Sequence, residues 1–159
     1  MSRSVRRRRL EMKTDYKSRL ALLKSGKPRL VVRKTNRYII AQIILSEIAQ
    51  DKVIVGINSS YLLSKGWPKE KSGSLKNTVA AYLTGYALGK LASGKIKDKE
   101  FILDIGMHRN IQKSRIYAVL KGFIDSGMKV PHESTALPDK ENFEKKETSS
   151  LIEKIRKEL

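Results

Sequence analysis

Three short runs rich in valine and isoleucine follow one another between residues 29 and 57, and they restrict the fold more than any other feature. The runs are "RLVVRK", "RYIIAQIIL" and "KVIVGI". β-Branched residues in such short runs indicate strands, and the two-residue connection at Thr35-Asn36 and the polar turn at residues 50–52 suit antiparallel neighbours. Because the runs are nearly continuous rather than alternating, we expect helices to cover both faces of the sheet.

The chain after residue 57 adds helices and one further strand. Residues 58–74 are rich in Ser, Lys and Gly and indicate a loop, after which apolar residues recur at helical spacing from Ser74, taken as the cap, to Gly94. A buried strand at residues 100–105 and a second amphipathic helix at residues 114–127 follow. This order predicts an α/β fold, a single domain whose mixed sheet has three antiparallel strands and one parallel strand.

The composition divides the chain into three parts. Residues 1–28 form a basic N-terminal arm followed by a helix from Leu10 to about Lys24. Residues 29–132 form the α/β domain. Residues 133–159 form a charged C-terminal extension, in which a capping box that starts at Ser150 predicts a terminal helix. That helix would dock either on the body of the protein or on a partner.

The net charge of +18 is concentrated at the N-terminus, where residues 1–37 hold 14 Lys and Arg against 2 acids. Such a gradient is typical of an arm that binds a polyanion. All the cations of residues 1–9 are arginines, whose planar guanidinium groups bind phosphate and stack on bases. A membrane-surface anchor is the alternative, but it would need an apolar face, and this arm offers only Val5. The candidate RNA-binding residues here are Arg3, Arg6, Arg7, Arg8, Arg9 and Lys13.

Other classes of protein fit less well. The chain has no cysteine, which excludes disulfides and cysteine-ligated zinc. We expect no cofactor, metal or small-molecule substrate. No segment has the roughly 18 apolar residues of a membrane helix, and no signal peptide is predicted, so we expect a cytoplasmic location.

A nuclease of the ribonuclease-H type is the enzymatic alternative, because such enzymes hold metal ions with carboxylates at strand ends. Asp104 ends a predicted strand and His108 lies close by. However, Asp104 is the only acid at the C-terminal end of a predicted core strand, and residues 105–124 contain no carboxylate. Because the metal ions need several converging acids, we expect no catalysis.

Three segments that follow predicted strands instead carry groups that bind phosphate. Free backbone N–H groups at the start of a helix, which follows the third segment, also favour a phosphate. Only 10 of 159 residues are aromatic, and they form no paired ring platform, so we expect a structured RNA recognised by shape. The candidate residues are Arg33, Lys34, Thr35, Asn36 and Arg37 in the hairpin, Asn58, Ser59 and Ser60 after the third strand, and His108, Arg109, Asn110, Gln112, Lys113, Ser114 and Arg115 after the fourth.

Four stretches together resemble the archaeal form of the large-subunit ribosomal protein eighteen family: "PRLVVRKTNRYIIAQII", "INSS", "TVAAYLTGYALGKLA" and "LDIGMHRNIQKSRIYAVLKGFIDSGMKVPH". The resemblance runs from about Leu10 to His132. It implies a ribonuclease-H-like topology without the acids of that enzyme. It also implies that the protein binds 5S rRNA and helps attach it to the large rRNA, beside neighbouring proteins of the central protuberance, with residues 33–37, 58–60 and 108–115 facing the RNA.

Overall fold

Four strands form one mixed sheet in the computed structural model, which describes residues 4–48, 50–96, 100–139 and 146–158. The strand order is β3-β2-β1-β4. β1 pairs antiparallel with β2 and parallel with β4, and β2 pairs antiparallel with β3. The predicted mixed sheet with one parallel pair is therefore confirmed. The strands are β1 Arg29–Lys34, β2 Ile39–Glu47, β3 Gln50–Asn58 and β4 Ile102–Asp104.

Five α-helices lie within the described residues, and the segment predicted as a loop between β3 and the next helix consists of two 3-10 helices, Ser59–Lys65 and Lys69–Ser74. A third 3-10 helix covers Ser134–Ala136. The α-helices are α1 Arg7–Leu10, α2 Tyr16–Lys24, α3 Thr78–Ser93, α4 Arg115–Asp125 and α5 Lys146–Glu158.

Both strand connections differ from their predictions. The β1–β2 connection has four residues instead of two, because Thr35 and Tyr38 close the turn by two hydrogen bonds of 2.9 Å each. The Thr35 N–H donates to the Tyr38 carbonyl, and the Tyr38 N–H donates to the Thr35 hydroxyl. The β2–β3 turn passes through Ile48, at a φ of 49°, and not through residues 50–52. Those residues already pair with β2.

The starts of α2 and α3 also differ from their predictions. The single helix predicted from Leu10 to Lys24 is interrupted at Met12, whose φ of 50° is left-handed, and Asp15 caps the new helix α2. Asn77 caps α3 by accepting from the Ala80 N–H at 2.7 Å. The predicted cap, Ser74, instead donates its hydroxyl to a carbonyl in the preceding 3-10 helix.

The two faces of the sheet differ. Leu30 and Val32 of β1 share one face with buried residues of β2 and β3, and this face packs against α3 and α4. The other face carries Arg29 and Arg33. Helix α2 lies over it and buries none of its own residues. The expectation of a helical layer on each face therefore holds only in part, because the second layer is joined by charge and not by an apolar core.

Arg29 is the centre of the second face, and its side chain is only 2% exposed. One guanidinium nitrogen donates to Asp104 Oδ2 at 2.8 Å, and the other donates to Asp51 Oδ1 at 2.6 Å and Ser46 Oγ at 2.8 Å. Asp51 also pairs with Arg19 of α2 at 2.9 Å. Because a buried charge is tolerated only when it is neutralised, these contacts join all four strands and attach α2 to the sheet.

Helix α5 packs onto the body of the protein. Ile155 is fully buried and Ile152 is 8% exposed, and both belong to the main apolar core. The Arg156 guanidinium lies 4.6 Å from the centre of the Tyr86 ring and 3.7 Å from the Asp125 carboxylate. The helix begins at Lys146, before the predicted capping box, because residues 146–149 already have a helical backbone. Of the two expectations for this helix, the structure shows docking on the body.

Two glycines allow α3 and α4 to approach closely. A Cβ atom on Gly85 would lie 2.0 Å from the Val119 carbonyl oxygen, and one on Gly122 would lie 2.0 Å from the Tyr82 carbonyl oxygen. Any larger residue would therefore force the two helices apart. This contact determines how α4, and the loop before it, sit relative to the sheet.

We expect Gly122→Ala to lower the free energy of unfolding by about 1–3 kcal/mol or more, because the added methyl group overpacks the α3–α4 contact. Gly94→Ala is the matched control, since a Cβ atom there meets no atom within 4 Å. Urea unfolding of both variants measures the difference. Equal stability of the two variants would contradict the close approach.

Candidate nucleic-acid interface

The predicted RNA-binding segments meet at one end of the sheet. β1, β3 and β4 run in the same direction and β2 runs opposite to them, so Lys34, Asn58 and Asp104 end their strands on the side where Ile39 begins β2. Residues 33–37, 58–60 and 106–115 therefore lie together, and we call this surface the basic edge. The three segments contain no Asp or Glu.

The hairpin and the loop after β4 are in direct contact. The Lys34 N–H donates to His108 Nε2 at 3.1 Å. Gly106, at a φ of 60°, donates its N–H to Asp104 Oδ1 at 2.9 Å, and the Arg33 guanidinium packs so closely on Gly106 that a Cβ atom there would lie 2.8 Å from Arg33 Cζ. The relative position of the two segments is thus built into the fold.

Arg33 is not the free guanidinium that the sequence suggested. It donates to the carbonyl oxygens of Val32 and Asp104, at 2.9 and 2.8 Å, and to Asp104 Oδ1 at 2.9 Å. Asp104 is 6% exposed and also receives Arg29. The carboxylate thus has partners on both oxygens, so Arg33 acts first as a structural residue and only its remaining exposed part faces solvent.

Hydroxyl groups near the edge also have structural roles. Ser59 is fully buried, and its Oγ accepts from the Ile39 N–H at 3.1 Å, so this hydroxyl is engaged at the start of β2. The Thr35 hydroxyl is engaged in its own turn. Asn58 accepts from the Ser60 N–H through its side-chain oxygen and so caps the 3-10 helix. Asn58 and Ser60 are half-buried.

Several predicted residues are exposed on the basic edge. Asn110 is exposed and accepts a hydrogen bond from the Tyr117 hydroxyl. Lys113 is exposed too, but it is paired with Asp139. Exposed cations that are not paired with an acid in this way are best placed to contact phosphate. The other exposed residues of the edge that were predicted to bind RNA are Lys34, Thr35, Asn36, Arg37, Arg109, Gln112 and Arg115.

Residues 136–139 support the loop 106–115. The sequence did not indicate this contact. The Lys113 N–H donates to the Ala136 carbonyl at 2.8 Å, and Lys113 itself has a left-handed φ of 56°. Its ammonium pairs with Asp139, and the Lys121 ammonium donates to the Pro138 carbonyl. Contacts across such sequence distances leave no local pattern.

The N-terminal helices lie beside the basic edge. Arg8 and Lys13 line one cavity of about 590 Å³ together with Arg33 and Gly106. Arg3 lies outside the described residues. The other candidates are exposed, and most have local partners. Arg6 stacks on the Tyr16 ring at 4.6 Å, and Arg8 donates to the Thr14 hydroxyl at 2.9 Å. Arg7 and Lys13 both pair with Glu11 at 2.8 Å, and Arg9 is exposed.

The described residues hold neither a cluster of metal ligands nor a helix that could span a membrane. No three His, Asp or Glu residues of these ranges gather where a metal ion could be held. None of the helices described has the length and apolarity needed to cross a bilayer.

His108 lies half-buried between the hairpin and its own loop. Burial lowers its pKa, and the positive charges of Arg33 and Lys34 lower it further. The lowered pKa agrees with the hydrogen bond, because Nε2 accepts the Lys34 N–H and must therefore be unprotonated. A neutral imidazole holds the two segments together without adding to the positive charge.

We expect the free energy of unfolding to fall as the pH is lowered from 6.5 through the folded-state pKa of His108. In this window the unfolded chain, with a histidine pKa of about 6.5, binds more protons than the folded one. The contribution is fully present above pH 6.5. Urea unfolding at pH 7.5 and 5.5 measures this decrease in the free energy of unfolding. The decrease should be unchanged in His132→Gln and smaller in His108→Gln. An unreduced loss in His108→Gln would contradict this assignment.

Comparison with known proteins identifies the family. The sequence model described as "Ribosomal large subunit proteins 60S L5, and 50S L18" matches residues 3–101 and 92–133. The large ribosomal subunit protein uL18 of Korarchaeum cryptofilum is 48% identical over 152 residues, which cover 96% of this chain and 75% of that protein.

Two further archaeal relatives agree. The uL18 protein of Aeropyrum pernix is 40% identical over 153 residues, covering 96% of this chain and 69% of the relative. That of Methanothermobacter thermautotrophicus is 46% identical over 133 residues, covering 84% and 67%. The matched region includes all three segments of the basic edge, and the chain therefore belongs to the uL18 family of large ribosomal subunit proteins.

Proposed function

We propose that the protein is a non-enzymatic structural constituent of the large ribosomal subunit that binds 5S rRNA through the basic edge. In this role it helps attach 5S rRNA to the large rRNA in the central protuberance, beside neighbouring ribosomal proteins, in the cytoplasm. The observation that carries the proposal is the convergence of three segments without acids on one end of a rigid sheet. Family membership supports the same assignment.

Electrostatics explains how the surface would bind. Lys34, Arg37, Arg109 and Arg115 are exposed and stand on segments held by backbone and side-chain contacts. Each contact with a phosphate releases counterions from the RNA, so the binding free energy comes largely from this ion release. Asn36 and Asn110 add donors that orient the backbone. The mutual repulsion of the cations is relieved when the RNA arrives.

The arm, residues 1–28, extends this surface. The arginines of residues 4–9 make only exposed local contacts, which contribute little in water and can be exchanged for phosphate. Arg8 and Lys13 line a cavity shared with the basic edge, so the arm continues the same positive surface. Residues 29–132 supply the RNA-binding body, and α5 of the extension 133–159 completes its core.

The strand order β3-β2-β1-β4 supports a ribonuclease-H-like topology. The charge pattern favours binding over nuclease chemistry, because the strand-end carboxylate of Asp104 is already neutralised by Arg29 and Arg33. A metal-dependent nuclease would need that carboxylate free to coordinate an ion.

We expect the purified protein to bind a 5S rRNA transcript more tightly than a transcript of the same length and composition with a shuffled sequence. Shape recognition predicts this difference, since both RNAs carry the same phosphate charge. Filter binding at several salt concentrations measures both affinities. Equal affinities would contradict specific recognition of 5S rRNA.

Replacing Lys34, Arg37 and Arg109 by Ala should reduce the log–log salt slope of binding by roughly 2–3, since each phosphate contact contributes roughly 0.7–0.9. The thermal midpoint should change little, because these side chains are exposed. The matched control replaces Lys52, Lys95 and Lys129, which are exposed at the opposite end of the sheet. An equal decrease in the control would show that only net charge matters.

Arg33→Ala should behave differently from these variants. It leaves Asp104 without one of its partners, so both the thermal midpoint and the RNA affinity should fall. Differential scanning calorimetry and the same binding assay separate the two effects. An unchanged thermal midpoint would show that Arg33 has no structural role and is free to bind phosphate.

A further inference from the structure

A cavity of about 540 Å³ opens in the basic edge between the hairpin and the start of α4. Its volume lies within the range of about 300–1,000 Å³ found for small-ligand sites. Cationic, polar and apolar side chains all contribute to its lining. The residues that matter here are Lys34, Met107, Arg109, Ile111, Ser114 and Arg115.

The polar end of the cavity has unsatisfied donors. Ser114 occupies the cap position of α4, yet its side chain makes no capping hydrogen bond. Its Oγ exposes less than 1 Å² and has no hydrogen-bond partner among the described residues. The first N–H groups of a helix also lack intrahelical acceptors. The Ser114 hydroxyl therefore does not cap α4, and the first N–H groups of this helix are left for an acceptor from outside the chain.

The outer part of the cavity is apolar. Met107 is 52% exposed and Ile111 is 57% exposed, although both belong to a loop that is otherwise polar and basic. Phosphate contacts alone would not need these side chains. The flat face of a base that has left its stack would cover them and remove apolar surface from water.

We propose that this cavity holds one unstacked ribonucleotide of the bound RNA. Its phosphate accepts hydrogen bonds from the first N–H groups of α4 and from the Ser114 hydroxyl once that side chain turns toward the cavity, with Arg109 and Arg115 close by. Its base lies against Met107 and Ile111. The inference rests on the proposed function and deepens it, because it adds recognition of one extruded nucleotide to binding of the phosphate backbone.

Ser114→Ala tests the phosphate end. The free protein should keep its thermal midpoint or gain slightly, because the hydroxyl that is removed has no partner. The affinity for 5S rRNA should fall about tenfold, as for the loss of a hydrogen bond to a charged group. A lower midpoint with unchanged affinity would identify Ser114 as an ordinary helix cap and overturn the proposal.

Met107→Ser combined with Ile111→Ser tests the base end. The affinity should fall roughly fivefold or more, in line with the loss of a base contact, while the salt slope stays constant because no phosphate contact is lost. Ile48→Ser combined with Val53→Ser is the matched control, since both side chains are exposed at the opposite end of the sheet. Wild-type affinity in the test variant, or a loss equal to that of the control, would overturn the proposal.

Titration of the wild-type protein with inorganic phosphate and with the four nucleoside monophosphates separates the anion from the base. Amide chemical shifts of Arg115 and Ile116 report the binding. Tighter binding of at least one nucleotide than of phosphate supports the proposal, and equal binding shows an anion site only and overturns it. If the wild-type protein does not bind 5S rRNA, the proposed function itself fails, whereas binding with no effect of the cavity variants rejects only the nucleotide site.

Discussion

The buried guanidinium of Arg29 is the interaction on which the rest of the arrangement depends. Its partners Asp104, Asp51 and Ser46 come from three other strands or their ends, so one cation connects the whole sheet. Removing one partner from such a pair costs about 3–5 kcal/mol, because the charge that remains is buried and unpaired. The second oxygen of Asp104 receives Arg33 and the Gly106 N–H. Neutralising the centre of the sheet therefore also positions the hairpin and loop that form the basic edge.

Much of this fold could be predicted from local patterns. The Val and Ile runs indicated three strands, and the periodic apolar residues indicated α3 and α4, because burial imposes these spacings directly. The convergence of the three basic segments followed from the strand order. Individual side chains were harder to assign, since a serine or an arginine looks the same whether its partner is RNA or the protein backbone. Ser59 binds a backbone group 20 residues away, and Arg33 binds one 71 residues away.

Two further features left no signal in the sequence. The left-handed residue Met12 splits the first helix, although methionine is not a residue type that marks a turn. Asp139 neutralises Lys113 across 26 residues, and the same short segment supports the loop through the Ala136 carbonyl. Such contacts depend on tertiary packing, which also explains why the second face of the sheet is closed by ion pairs and not by a helix with an apolar stripe.

The glycine contact between α3 and α4 has a consequence for the thermodynamics of recognition. With Gly85 and Gly122 each against a carbonyl oxygen of the opposite helix, α4 can neither slide nor rotate without losing close packing. The positions of Ser114 and Arg115 are thus set before any ligand arrives, and little conformational entropy is lost there on association. The exposed arginines of the N-terminal arm lack such support and lose freedom when they bind. The chain therefore combines a preorganised binding surface at α4 with an N-terminal arm that orders on binding, so α4 can dock first and the arm can bind afterwards.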